Sequence, residues 1–597
     1  MTTPPVCRLT SCSRPYPPRG ATPTARQSRF RGVSGTGFAS LAAATAVLGC
    51  ASVGPSTLPQ LTAARPGALI ACSDLAQRAA LPNTVYTSIV SVPAGTVANQ
   101  AAPAHCLVQG RMNERTSAVD GNGYAIGFEM RLPVAWNGRF FYQANGGIDG
   151  AVVPALGGIG GGGPRSNALA MGFAVISSDA GHGAALGPRF GLDPQARLDY
   201  GYNAVAQLTP MAKNLIGKAY GREPDRSYFG GCSNGGRHAL VAAVRSAGQY
   251  DGILAGNPGY NLPKAAVAQL YGAQQYATLA SGRTADGQPD LQSAFTPAEL
   301  KLVSDKLVAR CDALDGAADG MVLDVKSCQA RFDLQAEVPT CTGERNGSCL
   351  SAAQKKVLAD VHRGAHSRAG KPLYSSFPYD TGILGSDWRQ WKFTAPAQRD
   401  SGAVQFIFST PPLGARPAGL PFVLGFDMDT DAPRIEATDS TFTSSAMSFM
   451  TPPGTGEMAA LRDRGGKLMV YHGTSDPVFS SNDTAAWYQR VQAANGGNAA
   501  RFARYFEVPG MNHCRGGPAT DQFDMLTALV DWVEQGRAPD AVVASARGPG
   551  AAEPNPELPA GWSPTRTRPL CPYPQVAVYR GGDVERADSF ACRTAGS

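Results

Sequence analysis

The stretch 228–235, Tyr-Phe-Gly-Gly-Cys-Ser-Asn-Gly, constrains this chain more than any other. Tyr228-Phe229-Gly230 is strand-like, 237–244 is compatible with a helix, and between them stands Gly231-x-Ser233-x-Gly235. Glycines two residues either side of a serine, on a strand-to-helix turn, form a nucleophile elbow, where neighbouring backbone crowds both positions. A serine hydroxyl is a weak nucleophile until a base takes its proton, and it needs backbone donors for the oxyanion that follows attack. With 70 glycines in the chain the string alone is weak, and its place between strand and helix carries the reading. The expected fold class is α/β, with an α/β-hydrolase core and a large inserted lid domain.

In this fold the acid and then the histidine follow the serine. Of seven histidines, His105 and His182 precede Ser233, His238 lies on the elbow helix, and His362 and His366 fall where strand–helix rhythm is lost. His472 lies in or at the end of a strand, which leaves His513, in a loop just after strand-like Ala503–Val508, as the expected base. Asp476 is the expected acid, with Asp483 as the fallback. Cys232 directly precedes the serine and Cys514 directly follows the histidine. If Ser233 and His513 are hydrogen-bonded, these cysteines fall within disulfide reach; the alternative is two unrelated structural cysteines. The oxyanion donors are expected to be the backbone N–H groups of Asn234, whose side chain is of little account in that role, and of Gly147 in the loop Asn145-Gly146-Gly147.

From residue 66 apolar strands alternate with helix-like stretches: strands at 138–142, 173–177 and 252–255, and a helix at 205–220. Past Pro258 the rhythm fades in a stretch rich in Gly, Pro, Ser and polar residues. It returns at 467–471, 483–494 and 503–508. The expected organisation is a catalytic domain in two parts, 66–258 and 456–597, interrupted at 259–455 by an insertion. Loops at strand C-termini are where ligands bind, so an insertion there reads as a lid.

The formal charge of +7 is concentrated in 1–50, which hold six arginines (Arg8, Arg14, Arg19, Arg26, Arg29, Arg31) and no acid, leaving +1 for the rest. A nearly neutral body has no basic stripe for a phosphate backbone, which argues against nucleic acid as a partner. The arginines precede a short apolar run, 38–48, ending at Leu48-Gly49-Cys50. That order is an export signal, too short to span a bilayer. Cys50 after a small residue also fits the acylation site of a bacterial lipoprotein, with ordinary signal cleavage nearby as the alternative. Without Cys7, Cys12 and Cys50, ten of thirteen cysteines remain, with no Cys-x-x-Cys pair. This points to disulfides in an oxidising compartment rather than metal ligation. The chain is expected to be a secreted, periplasmic or outer-membrane-anchored monomer, touching a membrane only through a lipid at Cys50.

Several blocks resemble the tannase and feruloyl esterase family over nearly the whole mature chain: 190–199 (Phe-Gly-Leu-Asp-Pro-Gln-Ala-Arg-Leu-Asp), Gly231-Cys232-Ser233, Cys311-Asp312-Ala313-Leu314-Asp315-Gly316, 508–514 (Val-Pro-Gly-Met-Asn-His-Cys) and 568–574 (Arg-Pro-Leu-Cys-Pro-Tyr-Pro). The resemblance implies a serine esterase working on an aromatic carboxylic ester through Ser233, His513 and Asp476, with a Cys232–Cys514 bridge. It further implies disulfides Cys72–Cys106, Cys311–Cys328, Cys341–Cys349 and Cys571–Cys592. It also implies a structural calcium ion, held by the side chains of Asp312, Asp315 and Asp319 and the carbonyls of Ala317 and Met321. Independently, three carboxylates this close repel one another without a cation, and hard oxygen donors suit calcium. The spacing is not that of an EF-hand, and a solvated acidic loop is the alternative. No organic cofactor is expected.

Within the family, the resemblance favours a terephthalate monoester over feruloyl or galloyl esters as substrate. It marks Leu262, Trp391 and Phe479 as surfaces for a flat ring, although each could equally be core or lid packing. Arg399 is marked as the cation for the free carboxylate, because a guanidinium can grip it bidentately. Gly146 stands where the terephthalate enzymes carry a serine, which leaves more room near the acyl group.

Overall fold

Strands whose residues are almost all buried run through the middle of a nine-stranded sheet in the computed structural model, which describes residues 58–158, 166–454 and 456–594. The expected export leader and Cys50 lie outside the described residues. The strands are β1 (Thr84–Val92), β2 (His105–Thr116), β3 (Gly123–Pro133), β4 (Arg139–Gln143), β5 (Ala174–Ser178), β6 (Arg226–Cys232), β7 (Gly252–Gly256), β8 (Lys467–Gly473) and β9 (Ala503–Val508). Their order across the sheet is β9-β8-β7-β6-β4-β5-β3-β2-β1. The six strands from β9 to β5 are parallel, and β3, β2 and β1 continue antiparallel.

Parallel strands are covered on both faces, so they read as continuous apolar runs. In β7 and β8 every residue is buried. Ile253, Leu468 and Val470 pack with helices α1 (Ala204–Tyr220), α2 (Asn234–Arg245) and α6 (Ser481–Ala494). Leu254, Met469 and Tyr471 pack on the other face with α7 (Met525–Gln535). The alternation expected from residue 66 fails over 84–133, where three antiparallel strands of the sheet and a short hairpin, Gly95–Val97 with Gln100–Ala102, follow one another with no helix between them. β1 mixes half-buried and exposed positions, as an antiparallel sheet edge with one wet face allows.

Between β7 and β8 the chain is helical: α3 (Leu262–Ala277), α4 (Pro297–Cys311), α5 (Ala352–Arg363) and wide turns over 390–408. α4 and α5 start on complete capping boxes, Thr296 with Glu299 and Ser351 with Gln354. This region shares one apolar core, including Tyr276, Leu300, Val361 and Phe408, with Phe190 and Tyr200 from before the elbow. Buried Arg197 joins the two parts, donating to the carbonyls of Gly191 at 2.6 Å, Phe406 at 2.7 Å and Ser409 at 3.0 Å. Among the described residues no helix is long and apolar enough to cross a membrane.

Candidate active site

β6 enters α2 through Ser233, whose φ of 66° is one that non-glycine residues rarely adopt. Space demands the flanking glycines. A Cβ on Gly231 would stand 2.6 Å from the Ala144 carbonyl oxygen, and one on Gly235 would overlap the same atom. The sharp turn holds the Ser233 hydroxyl clear of the sheet, against the loops that follow β8 and β9.

His513, in the loop after β9, accepts from the Ser233 hydroxyl through Nε2 at 2.8 Å and donates from Nδ1 to Asp476 Oδ2 at 2.8 Å. The carboxylate partner assigns the proton to Nδ1, which leaves Nε2 as the base. Asp476, in the loop after β8, is fully surrounded. Oδ1 accepts from the N–H groups of Val478 and Phe479, and Oδ2 also from Asn257 Nδ2 at 2.7 Å and His472 Nε2 at 3.2 Å. Burial alone would raise this carboxyl, but the charge of His513 and the bonds from His472 and His513 outweigh it and hold Asp476 well below the usual carboxylate range. The fallback Asp483 is engaged elsewhere, accepting from Asn261 Nδ2 at 2.9 Å. Cys232 and Cys514 are bonded, with Cα atoms 6.2 Å apart, and tie the elbow to the histidine loop. The pairs Cys72–Cys106, Cys311–Cys328, Cys341–Cys349 and Cys571–Cys592 are also formed.

Asn234 is the first residue of α2, so its N–H has no acceptor within the helix. It shares a cavity with Gly147, which takes a left-handed φ of 67°. A Cβ on Gly146 would lie 3.6 Å from Ser233 Cβ, so the loop passes directly beside the nucleophile. The Asn234 side chain, expected to be of little account, has a defined task. Its Nδ2 donates to Asp149 Oδ2 at 2.7 Å, and its Oδ1 accepts from Arg237 Nε at 3.0 Å. His238 Nε2 lies 3.1 Å from the same Asp149 oxygen and 3.0 Å from the Arg237 guanidinium. Asp149 ends the Gly146-Gly147 loop, so this bond fastens the two donor-bearing segments to each other.

The cavity encloses about 440 Å³, part of it open to solvent, and is bounded by Ser233, Leu262, Trp391, Arg399, Asp400 and Phe479 among others. Trp391 and Phe479 stand edge-to-face against the His513 ring, with centroids 4.7 and 5.4 Å away. The Arg399 guanidinium lies 3.7 Å above the Trp391 ring. All four substrate contacts expected from the helical insertion and from the loop after β8 therefore meet at the serine, although 391 and 399 lie far from 233 in sequence. The chemistry available is nucleophilic attack by an activated serine on a carbonyl carbon, with N–H groups for the oxyanion and a flat apolar slot for the acyl group.

The model of the family described as tannase and feruloyl esterase matches residues 106–593. This chain belongs to that family. A mono(2-hydroxyethyl) terephthalate hydrolase of Piscinibacter sakaiensis is 42% identical over 537 residues, 83% of this chain and 86% of the relative. A probable feruloyl esterase B-2 of Aspergillus fumigatus is 25% identical over 548 residues, 87% and 95% of the two chains. The crystal structure of feruloyl esterase B from Aspergillus oryzae superposes with a TM-score of 0.68 at 23% identity, covering 87% of this chain and 99% of that one, and so shares the fold. As a tannase and feruloyl esterase family member the chain is a carboxylic ester hydrolase of aromatic esters.

In this family member the residues expected to hold calcium lie in the loop after α4. Asp312 accepts from the N–H groups of Gly320 and Met321, Asp315 from those of Ala317 and Leu323, and Asp319 from Met321 N–H and the Arg568 guanidinium. Among the described residues no three His, Cys, Asp or Glu side chains converge as a metal-holding group. The donor set nevertheless suits a hard cation. Burial pushes Asp315 up to about 7, with the charges of Asp319 and Asp312 adding to it.

Asn257, His472, Asp149 and Asp400 belong to the site and escaped the sequence reading. His472 reads as a strand residue, yet the four-residue spacing in His472-Gly473-Thr474-Ser475-Asp476 is short enough for a turn to fold it onto the acid. Asn257 and Asp149 carry no local signal, since their partners lie far along the chain.

Proposed function

We propose that this enzyme hydrolyses mono(2-hydroxyethyl) terephthalate to terephthalate and ethylene glycol. Ser233 attacks the ester carbonyl, His513 takes the serine proton and returns it to the leaving alcohol, and Asp476 orients the imidazole and stabilises its charged form. The N–H groups of Asn234 and Gly147 hold the oxyanion, and water then cleaves the acyl-enzyme by the same route in reverse. The ring lies among Leu262, Trp391 and Phe479, and Arg399 receives the free carboxylate. The observation that carries this reading is the meeting of Arg399 and Trp391 with Ser233 in one cavity. The 42% identical relative, a hydrolase of that monoester by name, supports it. A second reading, an ester of a plant phenolic acid, draws on Asp400, a carboxylate in the same cavity that suits a hydroxyl donor.

The helical segment between β7 and β8 acts as the lid that decides among these esters, since Leu262, Trp391 and Arg399 all come from it. Asp312, Asp315, Ala317, Asp319 and Met321 hold a structural calcium ion. Ten cysteines closed in five disulfides support export to an oxidising compartment, with 1–50 as the leader and Cys50 as a site for lipid. The test is hydrolysis of mono(2-hydroxyethyl) terephthalate beside methyl ferulate and methyl gallate, with Ser233→Ala as the blank. Faster, Ser233-dependent release of terephthalate is the expected result. Preference for ferulate or gallate refutes the terephthalate assignment and leaves the esterase.

A further inference from the structure

Asp400 is an unusual neighbour for a carboxylate-binding arginine. It lines the same cavity as Ser233 and Arg399, it is only 8% exposed, and its Oδ2 is buried without a hydrogen-bond partner. Oδ1 is 3.9 Å from Arg399 Nε, beyond hydrogen-bond range. A carboxylate taken out of water without hydrogen bonds is costly, and such a group either gains a partner or gives up its charge. A substrate carboxylate drawn to Arg399 would bring a second negative charge to this end of the cavity. Two carboxylates sharing one site cannot both stay ionised cheaply.

We infer that Asp400 sets the charge of the acyl group that the cavity accepts: ionised, it opposes a free carboxylate at Arg399; carrying a proton, it offers that carboxylate a donor. This deepens the proposed function and rests on the esterase reading of the same cavity. The titratable and charged groups that face Asp400 are Arg399 on its own turn, Lys392 from the preceding turn and His513 from the loop after β9; Tyr200 and Asp387 act on Arg399. Burial pushes Asp400 up to about 6, against the lowering influence of Arg399, Lys392 and His513. Buried Lys392 is pulled down to about 7, so it loses charge in a neighbouring window. A raised carboxyl is protonated below its folded value, so acceptance of an anionic acyl group falls as pH rises through about 6. Loss of the Lys392 charge acts in the same direction, and only a change at Asp400 separates the two.

The experiment compares mono(2-hydroxyethyl) terephthalate with 2-hydroxyethyl benzoate, which differs only in lacking the para carboxylate, in wild type and Asp400→Asn between pH 5 and 9. The quantity read is the ratio of kcat/KM for the anionic ester to that for the neutral one. In wild type this ratio falls with rising pH. Asp400→Asn, uncharged and still a donor, raises it about tenfold at pH 8 and flattens its pH profile near 6, which fits the removal of one repulsive charge pair. An identical ratio and profile in the two proteins overturns the inference while leaving the esterase intact. A wild-type ratio that does not change with pH overturns it without recourse to the variant. Failure of wild type to cleave either ester above the Ser233→Ala blank overturns the esterase reading and the inference with it.

Discussion

Asn234 serves the site twice, through its N–H toward the oxyanion and through its side chain, which holds Asp149 and with it the Gly146-Gly147 loop. Asn234→Ala keeps the N–H and removes the fastening, so kcat on an aromatic ester is expected to fall about tenfold, equivalent to about 1.4 kcal/mol, with little change in KM. Asn234→Asp sets two buried carboxylates against each other and is expected to lose more. A change in KM alone would refute the positioning role. Ser233→Ala is expected to lower kcat by about 10⁴-fold or more, and Asp476→Asn by about 10⁴-fold, with thermal unfolding near that of wild type for the serine variant. Asp476→Asn should also unfold earlier, because His472, Asn257 and His513 all donate to its carboxylate.

Among the elements, the loops after β8 and β9 bring the acid and the base to the elbow, and the Cys232–Cys514 bond fixes one of them to it. The bonded residues are 282 apart in sequence, a separation that makes the cross-link a strong restraint on the unfolded chain. Replacing both cysteines with alanine is expected to cost about 2–5 kcal/mol in chemical denaturation, and to lower kcat because the His513 loop then loses its covalent tie to the elbow. Unchanged kcat in a destabilised double variant would show that the bond serves stability alone. The helices of the segment between β7 and β8 were not legible from rhythm, and caps are the signal that could have found them. Thr296-x-x-Glu299 and Ser351-x-x-Gln354 are visible in the sequence and mark the starts of α4 and α5, in a stretch whose glycines and prolines hid the helical period.

For the whole molecule, the acidic loop after α4 packs against the C-terminal strands through Arg568 and Asp319, so its charge bears on global stability. Asp315 is about 7 in the fold against 3.8 for the free side chain. The folded state therefore binds the extra proton, and without a cation this group reduces stability as pH rises from 3.8 through about 7. On the proposal of a calcium ion in this loop, the cation takes the place of the proton and cancels that loss. The chelator-treated protein is expected to melt at a lower Tm than the calcium-loaded one above pH 7, with the gap closing toward pH 4. Equal melting curves at every pH would refute a calcium site in this loop.

The sequence by itself marked the elbow through its glycine spacing, the base and acid through their order after the serine, and the buried strands through unbroken apolar runs. It pointed to a Cys232–Cys514 bond on the condition that Ser233 and His513 meet, a condition that only the fold supplies. Only the tertiary structure decided the antiparallel strands β1 to β3, where half-wet edges weaken the apolar signal. It alone decided the second partners of Asp476, the Asn234–Asp149 fastening and the approach of Asp400 to Arg399. Asn257 with Asp476 and Asn234 with Asp149 join segments 219 and 85 residues apart, Asp400 meets Ser233 in a cavity built from distant segments, and a buried polar side chain acquires its partner from whatever surface the fold lays against it.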